Sequence, residues 1–255
     1  ATRQYHAGAL KIIRPHYLDE TGQVYYIIAN PGGGYVGGDS YRIAVDVAGG
    51  ASILFTDQSA TKVYRTPESF VSQKIDFHVG AGAVLEYVPD QLILYRDADF
   101  RQHMTVDLDP EASAFLSDIV TPGWSPDGGQ FRYRQAHLRS EVRVGGKLAL
   151  VDNMRIMPER DAETLHSPTF LGQNTHFATA LCFDPGIDED LIENVRAALA
   201  EIEQIEASVT ACDVPGFVVR AVGNRTEHLM EAVQTAANIV RSTLRGQGKL
   251  HMRQY

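Results

Sequence analysis

Four carboxylates stand at positions where a carboxylate is chemically unusual. Asp39 closes the run Asn30-Pro31-Gly32-Gly33-Gly34-Tyr35-Val36-Gly37-Gly38-Asp39, while Glu86, Asp118 and Asp152 each sit inside or at the end of an apolar, strand-like stretch. Neighbours such as Val84, Leu85 and Tyr87, or Phe115, Leu116 and Ile119, or Leu150 and Val151, place those three where burial is expected. A buried carboxylate needs a cation, a hydrogen-bond donor or water. Pairing with a basic side chain is the ordinary answer, and Lys62 and Arg65 are available for it. The other answer is a wet, acid-lined interior path. Carboxylate oxygens hold divalent ions loosely compared with thiolate or imidazole cages, which suits passage better than storage.

Other chemistries find little support. Gly32, Gly34 and Gly37 formally satisfy G-x-G-x-x-G after a strand-like Val24 to Ala29. A dinucleotide site needs a helix to open there, because its N–H groups and dipole hold the pyrophosphate. Tyr41, Ile43, Val45 and Val47 instead alternate with Arg42, Ala44 and Asp46, which is the period of a strand. No Walker lysine follows. The nine histidines form no H-x-H, H-E-x-x-H or H-x₃-H, and there is no G-x-S-x-G elbow. A net charge of −9 and pI near 5.4 oppose attraction to nucleic acid or anionic lipid. No apolar run approaches the ~20 residues of a membrane span. The first six residues carry no apolar signal core, and Cys182 and Cys212 form no C-x-x-C, so free thiols in a reducing, cytoplasmic setting are expected.

The elements that must position these acids read as mostly β. The glycine run is a tight connection between strands, with Pro31 fixing its entry. Five glycines exceed what a hairpin needs, so a close approach of the backbone to another segment is expected. A loose unit then repeats about every thirty residues: Val45-x-Val47 before Gly49-Gly50-Ala51, Phe77-x-Val79 before Gly80-Ala81-Gly82-Ala83, Val106-x-Leu108 before Asp109-Pro110-Glu111-Ala112, and Val142-x-Val144 before Gly145-Gly146-Lys147. Each reads as a hairpin too small to bury its own apolar face. Stacked hairpin layers answer that problem, and a plain sandwich answers it too. Leu191, Ile192, Val195, Leu199, Ile202 and Ile205 predict a helix over 188–207, and Leu229, Met230, Val233, Ala237, Val240 and Leu244 another over 225–244, stopped by Gly246 and Gly248. Strands flank Asp213-Val214-Pro215-Gly216 between them. The expected fold is mainly β: a layered, β-helix-like stack of antiparallel hairpins with two C-terminal helices. Residues 1–255 form one unit, with a β body over about 1–184 and a small α/β cap over about 185–248.

Three stretches together carry a resemblance. The glycine run, then Gln58-Ser59-Ala60-Thr61-Lys62-Val63-Tyr64-Arg65, then Leu85-Glu86-Tyr87-Val88-Pro89-Asp90, resemble the urease accessory protein family UreD, also called UreH. The chain departs from the family pattern where a Gly-Arg and a Gly-Glu before Phe are usual, having Gly123-Trp124 and Gly129-Gln130-Phe131. The resemblance implies a β-helical body with two helices and a non-enzymatic maturation factor. Such a factor joins the accessory protein UreF and the GTPase UreG and docks on apo-urease. It holds no tightly bound cofactor, and nickel(II) passes through an internal tunnel. Onto that path the resemblance carries Asp39, Asp118 and Asp152 as transient nickel ligands, and Gly33, Gly37, Gly38, Thr61, Lys62 and Glu86 as tunnel or structural residues. Two other readings stand beside it. A β-helical or sandwich carbohydrate-active enzyme would use two of Asp39, Glu86, Asp118 and Asp152 as acid and base across an open cleft. A pure adaptor would have no metal role.

Overall fold

The computed structural model describes residues 2–250 and 252. Two short strands, β1 (Lys11–Ile12) and β2 (His16–Tyr17), lie against β3 (Val24–Ala29), after which the glycine run delivers the chain to β4 (Ser40–Val47). The chain then repeats one circuit. A turn at Gly49-Gly50 leads into β5 (Ser52–Asp57), then β6 (Thr61–Val63) and β7 (Val71–Val79); a turn at Gly80–Ala83 leads into β8 (Val84–Tyr87), β9 (Leu92–Leu94) and β10 (Asp99–Leu108). A third turn at Asp109–Ala112 gives β11 (Ser113–Val120), and a long connection reaches β12 (Gln135–Val144) and β13 (Lys147–Ile156). After β14 (His176–Phe183) come α1 (Glu189–Ala200), β15 (Ile205–Ala211), β16 (Gly216–Gly223) and α2 (Thr226–Arg245).

The mainly β, solenoid-like class expected from the sequence is what forms, but the pairing inside the stack is parallel. Strands β4, β7, β10 and β12 run parallel in one sheet, and β3, β5, β8 and β11 run parallel in the facing sheet. The first three small-residue turns are therefore corners that carry the chain from one sheet to the other, not hairpins within one. Each corner is bonded to the next: Gly80 N to Val47 O, Asp109 N to Val79 O and Gly145 N to Leu108 O, all at 2.9 Å. Of these four turns, the one at Gly145-Gly146 alone makes a true hairpin, β12 with β13, and it ends the stack. Local patterning reports that a strand turns; it carries no information on which sheet the next strand joins.

The second sheet continues past the stack as β14, β16 and β15, all antiparallel. The segment expected as a cap is therefore continuous with the body, and its helices cover the outer face of that sheet. One apolar cluster joins that face to the helices, including Tyr25, Leu54, Phe115, Phe217, Val195, Leu229 and Val233. Two further clusters fill the space between the sheets, one around Phe55, Phe77, Leu85, Met104 and Leu116, the other around Val63, Leu94, Phe100, Val120 and Ile156. The helix expected over 188–207 stops at Ala200, because Ile205 onward pairs with β16. Asp188 caps α1 by accepting from Leu191 N at 2.9 Å, and Gly246 ends α2 in the left-handed conformation at φ 60°.

An ion cluster fixes α2 to the sheet. Glu86 on β8, only 1% exposed, pairs with Arg241 and accepts from Arg245 Nη2 at 2.8 Å and Gln23 Nε2 at 2.9 Å. Removing one member of such a buried set leaves an uncompensated charge. Glu86→Gln is expected to cost about 3–5 kcal/mol of stability, read as a lowered urea midpoint with unchanged slope. The glycine run makes the close approach its composition predicted: a Cβ on Gly34 would stand 2.9 Å from Lys62 O, and one on Gly37 would stand 2.7 Å from Ser69 Oγ and 3.2 Å from Thr66 Cα. Gly34→Val is expected to cost about 1–3 kcal/mol by overpacking, measured by the same titration.

Candidate functional site

Between the two interior apolar clusters the sheets carry a polar belt. In a solenoid, residues at the same position of successive coils fall in line along the stack, about 4.8 Å apart. On one sheet Tyr41, Gln73 and Gln102 are consecutive cross-strand neighbours. On the facing sheet Asp118, Thr179 and Arg220 are likewise consecutive, and Asp57 ends β5 opposite Ile28. Hydrogen bonds link the two sides. Tyr35 donates its hydroxyl to Gln73 Oε1 at 2.8 Å, Gln73 donates to Gln102 Oε1 at 3.1 Å, and Gln102 donates to Asp118 Oδ1 at 3.2 Å.

The near end of the belt opens at a pocket under the glycine run, lined by Tyr35, Asp57, Thr61, Lys62, Gln73 and Tyr87. Its far end is Asp152, on β13, paired with Arg220, whose side chain is 42% exposed. The belt thus runs through the interior from a surface pocket to a solvent-reached arginine.

The electrostatics of its acids are distinctive. Burial, reinforced by the charges of Asp90 and Asp118, pushes the Asp57 carboxyl up to about 7, against a hydrogen bond from Thr61. Burial also raises Asp118 to about 7; the Gln102 bond opposes this and the charge of Asp152 adds to it. Asp90 is raised by burial as well. No lysine or arginine among the described residues lies within ion-pair distance of Asp57, Asp90 or Asp118. Burial, with the charges of Asp57 and Asp118, holds the Tyr87 phenol far above its usual range.

The sequence candidates separate in space. Asp118, Thr61 and Lys62 lie on the belt or its mouth. Asp39 accepts from Val36 N at 2.9 Å and from Tyr41 Oη at 2.6 Å, so its carboxylate is spent closing the glycine loop beside the mouth. Asp152 is at the far end in an ion pair. Glu86 lies on the opposite face of its sheet, in register with Phe115 and against α2, so it is structural and outside the belt. Gly33 and Gly38 adopt φ of +81° and +90°, and Gly37 is cramped by the segment containing Thr66. The basic partner of Asp152 is Arg220 and those of Glu86 are Arg241 and Arg245, rather than Lys62 or Arg65; Arg65 pairs instead with Asp97 at 2.9 Å. Because Glu86 and Asp118 project from opposite faces and Asp152 is neutralised, these acids do not flank one open cleft, as a glycosidase pair would.

Asp57, Tyr35, Gln73 and Gln102 escaped the sequence reading. Asp57 carries the same signal as the acids that were singled out, an acid ending the apolar run Ile53-Leu54-Phe55. Gln73 and Gln102 break the apolar alternation of two successive repeats at equivalent positions, which is a readable signal once the strands are known to stack in register.

The sequence profile of the family described as UreD urease accessory protein matches residues 1–254. The chain is 42% identical over 256 residues to the urease accessory protein UreD of Actinomyces naeslundii, covering all of this chain and 93% of that one. It is 39% identical over 262 residues to its counterpart in Paenarthrobacter aurescens strain TC1, covering all of this chain and 90% of the other, and 33% identical over 239 residues to that of Staphylococcus epidermidis, covering 92% and 85%. With a solenoid-like β body of the expected kind and similarity along its whole length to proteins named as accessories of urease, the chain belongs to the UreD family of urease accessory proteins.

Proposed function

We propose that this chain is a urease maturation factor whose interior belt conducts nickel(II) toward the urease metallocentre, as part of an assembly with UreF and the GTPase UreG docked on apo-urease. The observation that carries this reading is the pair of interior carboxylates Asp57 and Asp118, both raised by burial, Asp57 further by the charges of Asp90 and Asp118 and Asp118 by that of Asp152, with no basic partner among the described residues. Like charges held together in a low dielectric take up either protons or a cation. A hydrated divalent ion entering the pocket meets Asp57, Thr61 and the Tyr35 hydroxyl first, then Asp118 beyond the Gln73–Gln102 pair.

Among the described residues no three of His, Cys, Asp and Glu come together as a metal cage. Successive single carboxylates suit transfer, because nickel ranks high in the Irving–Williams order and a closed imidazole or thiolate set would retain it. The nickel is cargo, and GTP hydrolysis belongs to the partner. Cytoplasmic work accords with the two free cysteines, and no helix of the described residues is long and apolar enough to cross a membrane.

The test is the conservative replacement Asp118→Asn, alone and with Asp57→Asn. Both variants are expected to fold and to co-purify with the accessory partners while lowering the nickel content of activated urease several-fold; normal nickel loading by the double variant overturns the path. Protons compete with the cation for these groups, so nickel uptake is expected to strengthen as pH rises through about 7 and to weaken below it.

The same groups set a stability signature. Because the Asp118 carboxyl is raised from 3.8 to about 7, the folded chain holds a proton that the unfolded chain has lost within that window. Stability is therefore greatest below the window and falls as pH rises through it. Asp118→Asn is expected to flatten that fall and to raise the melting temperature above neutral pH, as thermal melts across the window would record. A variant that is more stable yet delivers less nickel separates a transport role from a structural one.

A further inference from the structure

We infer that Arg220 closes the far end of the belt to monovalent cations and yields only to divalent ones, which makes it the residue that sets ion selectivity there. This rests on the path reading above and adds to it. Arg220 on β16 is in register with Thr179 on β14, and Thr179 with Asp118 on β11, so the three share one row. Its Nη1 donates to Thr179 Oγ1 at 3.1 Å, and its Nη2 pairs with Asp152 Oδ1, which reaches across from the other sheet. The guanidinium carbon stands 5.8 Å from the centre of the Phe177 ring. Asp152 is near enough for its charge to raise Asp118. The row thus ends in two carboxylates and one fixed cation, the only basic group bonded to an acid of the belt among the described residues.

A cation moving from Asp118 along this row meets that guanidinium and must displace it to reach Asp152. A potassium or sodium ion brings one charge and no directional bonds, so at Asp152 it gains nothing over an arginine that already brings one charge and a charge-assisted hydrogen bond. A divalent ion brings twice the charge and can take oxygens from Asp118 and Asp152 together. The exposures fit such an exchange: the Asp152 side chain is 12% exposed and stays inside, whereas Arg220 is 42% exposed and has solvent to swing into. With the arginine outside, a row holding two carboxylates and one divalent ion is neutral.

Two measurements on the full chain test this. The first follows the Arg220 Nε–Hε resonance during titration with Zn²⁺ alone, a diamagnetic divalent probe, and with K⁺. Zn²⁺ is expected to shift it toward the position of a free guanidinium, K⁺ in large excess to leave it in place, and Asp118→Asn to abolish the Zn²⁺ effect. The second measures nickel loading of urease with Arg220→Gln, where loading is expected to persist at low salt and to be inhibited by added KCl more strongly than with the unaltered chain. Arg220→Lys, which restores the charge, is expected to recover the salt resistance. If Zn²⁺ leaves the Arg220 signal unmoved while Asp118→Asn still lowers nickel loading, the selectivity role is overturned and the path stands. If the double variant Asp118→Asn with Asp57→Asn also leaves loading normal, the path itself is overturned.

Discussion

Parallel stacking of successive coils governs everything else in this molecule. Once a strand pairs with the equivalent strand of the next coil, whatever faces inward at one position faces inward at that position again, one strand spacing further along. A single polar side chain inside such a stack would be costly, whereas a line of them can satisfy one another. Tyr35, Gln73, Gln102 and Asp118 form such a line, each donating to the next, and the line lies between two apolar clusters that close the space on either side. The belt is the form in which this fold can carry polar groups through its own interior.

The buried acids show how differently one residue type is used. Glu86 lies against two arginines of α2 and fastens the helix to the outer face of the sheet. Asp152 is neutralised by a single arginine that solvent reaches. Asp57 and Asp118 have only neutral donors, a threonine and a glutamine, and their carboxyls rise toward neutrality. The last two are the destabilising ones, because ionising them in the folded state works against burial and against each other. A fold that retains such groups gives up stability at that place, which is a mark of functional rather than structural positions.

The glycine run serves the same end from outside. Its backbone lies so close to the Thr61–Ser69 segment that Gly34 and Gly37 have no room for a side chain, and this contact shapes the mouth in which Thr61, Lys62 and Asp57 gather. Asp39 locks the run by bonding back to Val36 and to Tyr41, whose ring stacks on Tyr35 at 3.8 Å. The loop thereby sets the position of the tyrosine that begins the hydrogen-bonded line.

Much was legible in the sequence. Alternation located the strands, helical spacing located α2 nearly to the residue, and the matched small-residue turns announced a stack, because each of these is a local consequence of side-chain period and backbone freedom. The motifs of the glycine run and the Gln58–Arg65 strand pointed to the family. What sequence could not decide was direction and company. Whether a turn returns to its own sheet or crosses to the other depends on which apolar faces meet, so corners read as hairpins. Whether an acid between apolar neighbours is paired depends on residues far away in the chain: Glu86 meets Arg241 and Arg245, Asp152 meets Arg220, and Asp118 meets only Gln102. Those partners are brought together by coil stacking and by the docking of α2, both of them long-range events, and only the tertiary structure distinguishes the acids held in ion pairs from those that meet neutral donors alone.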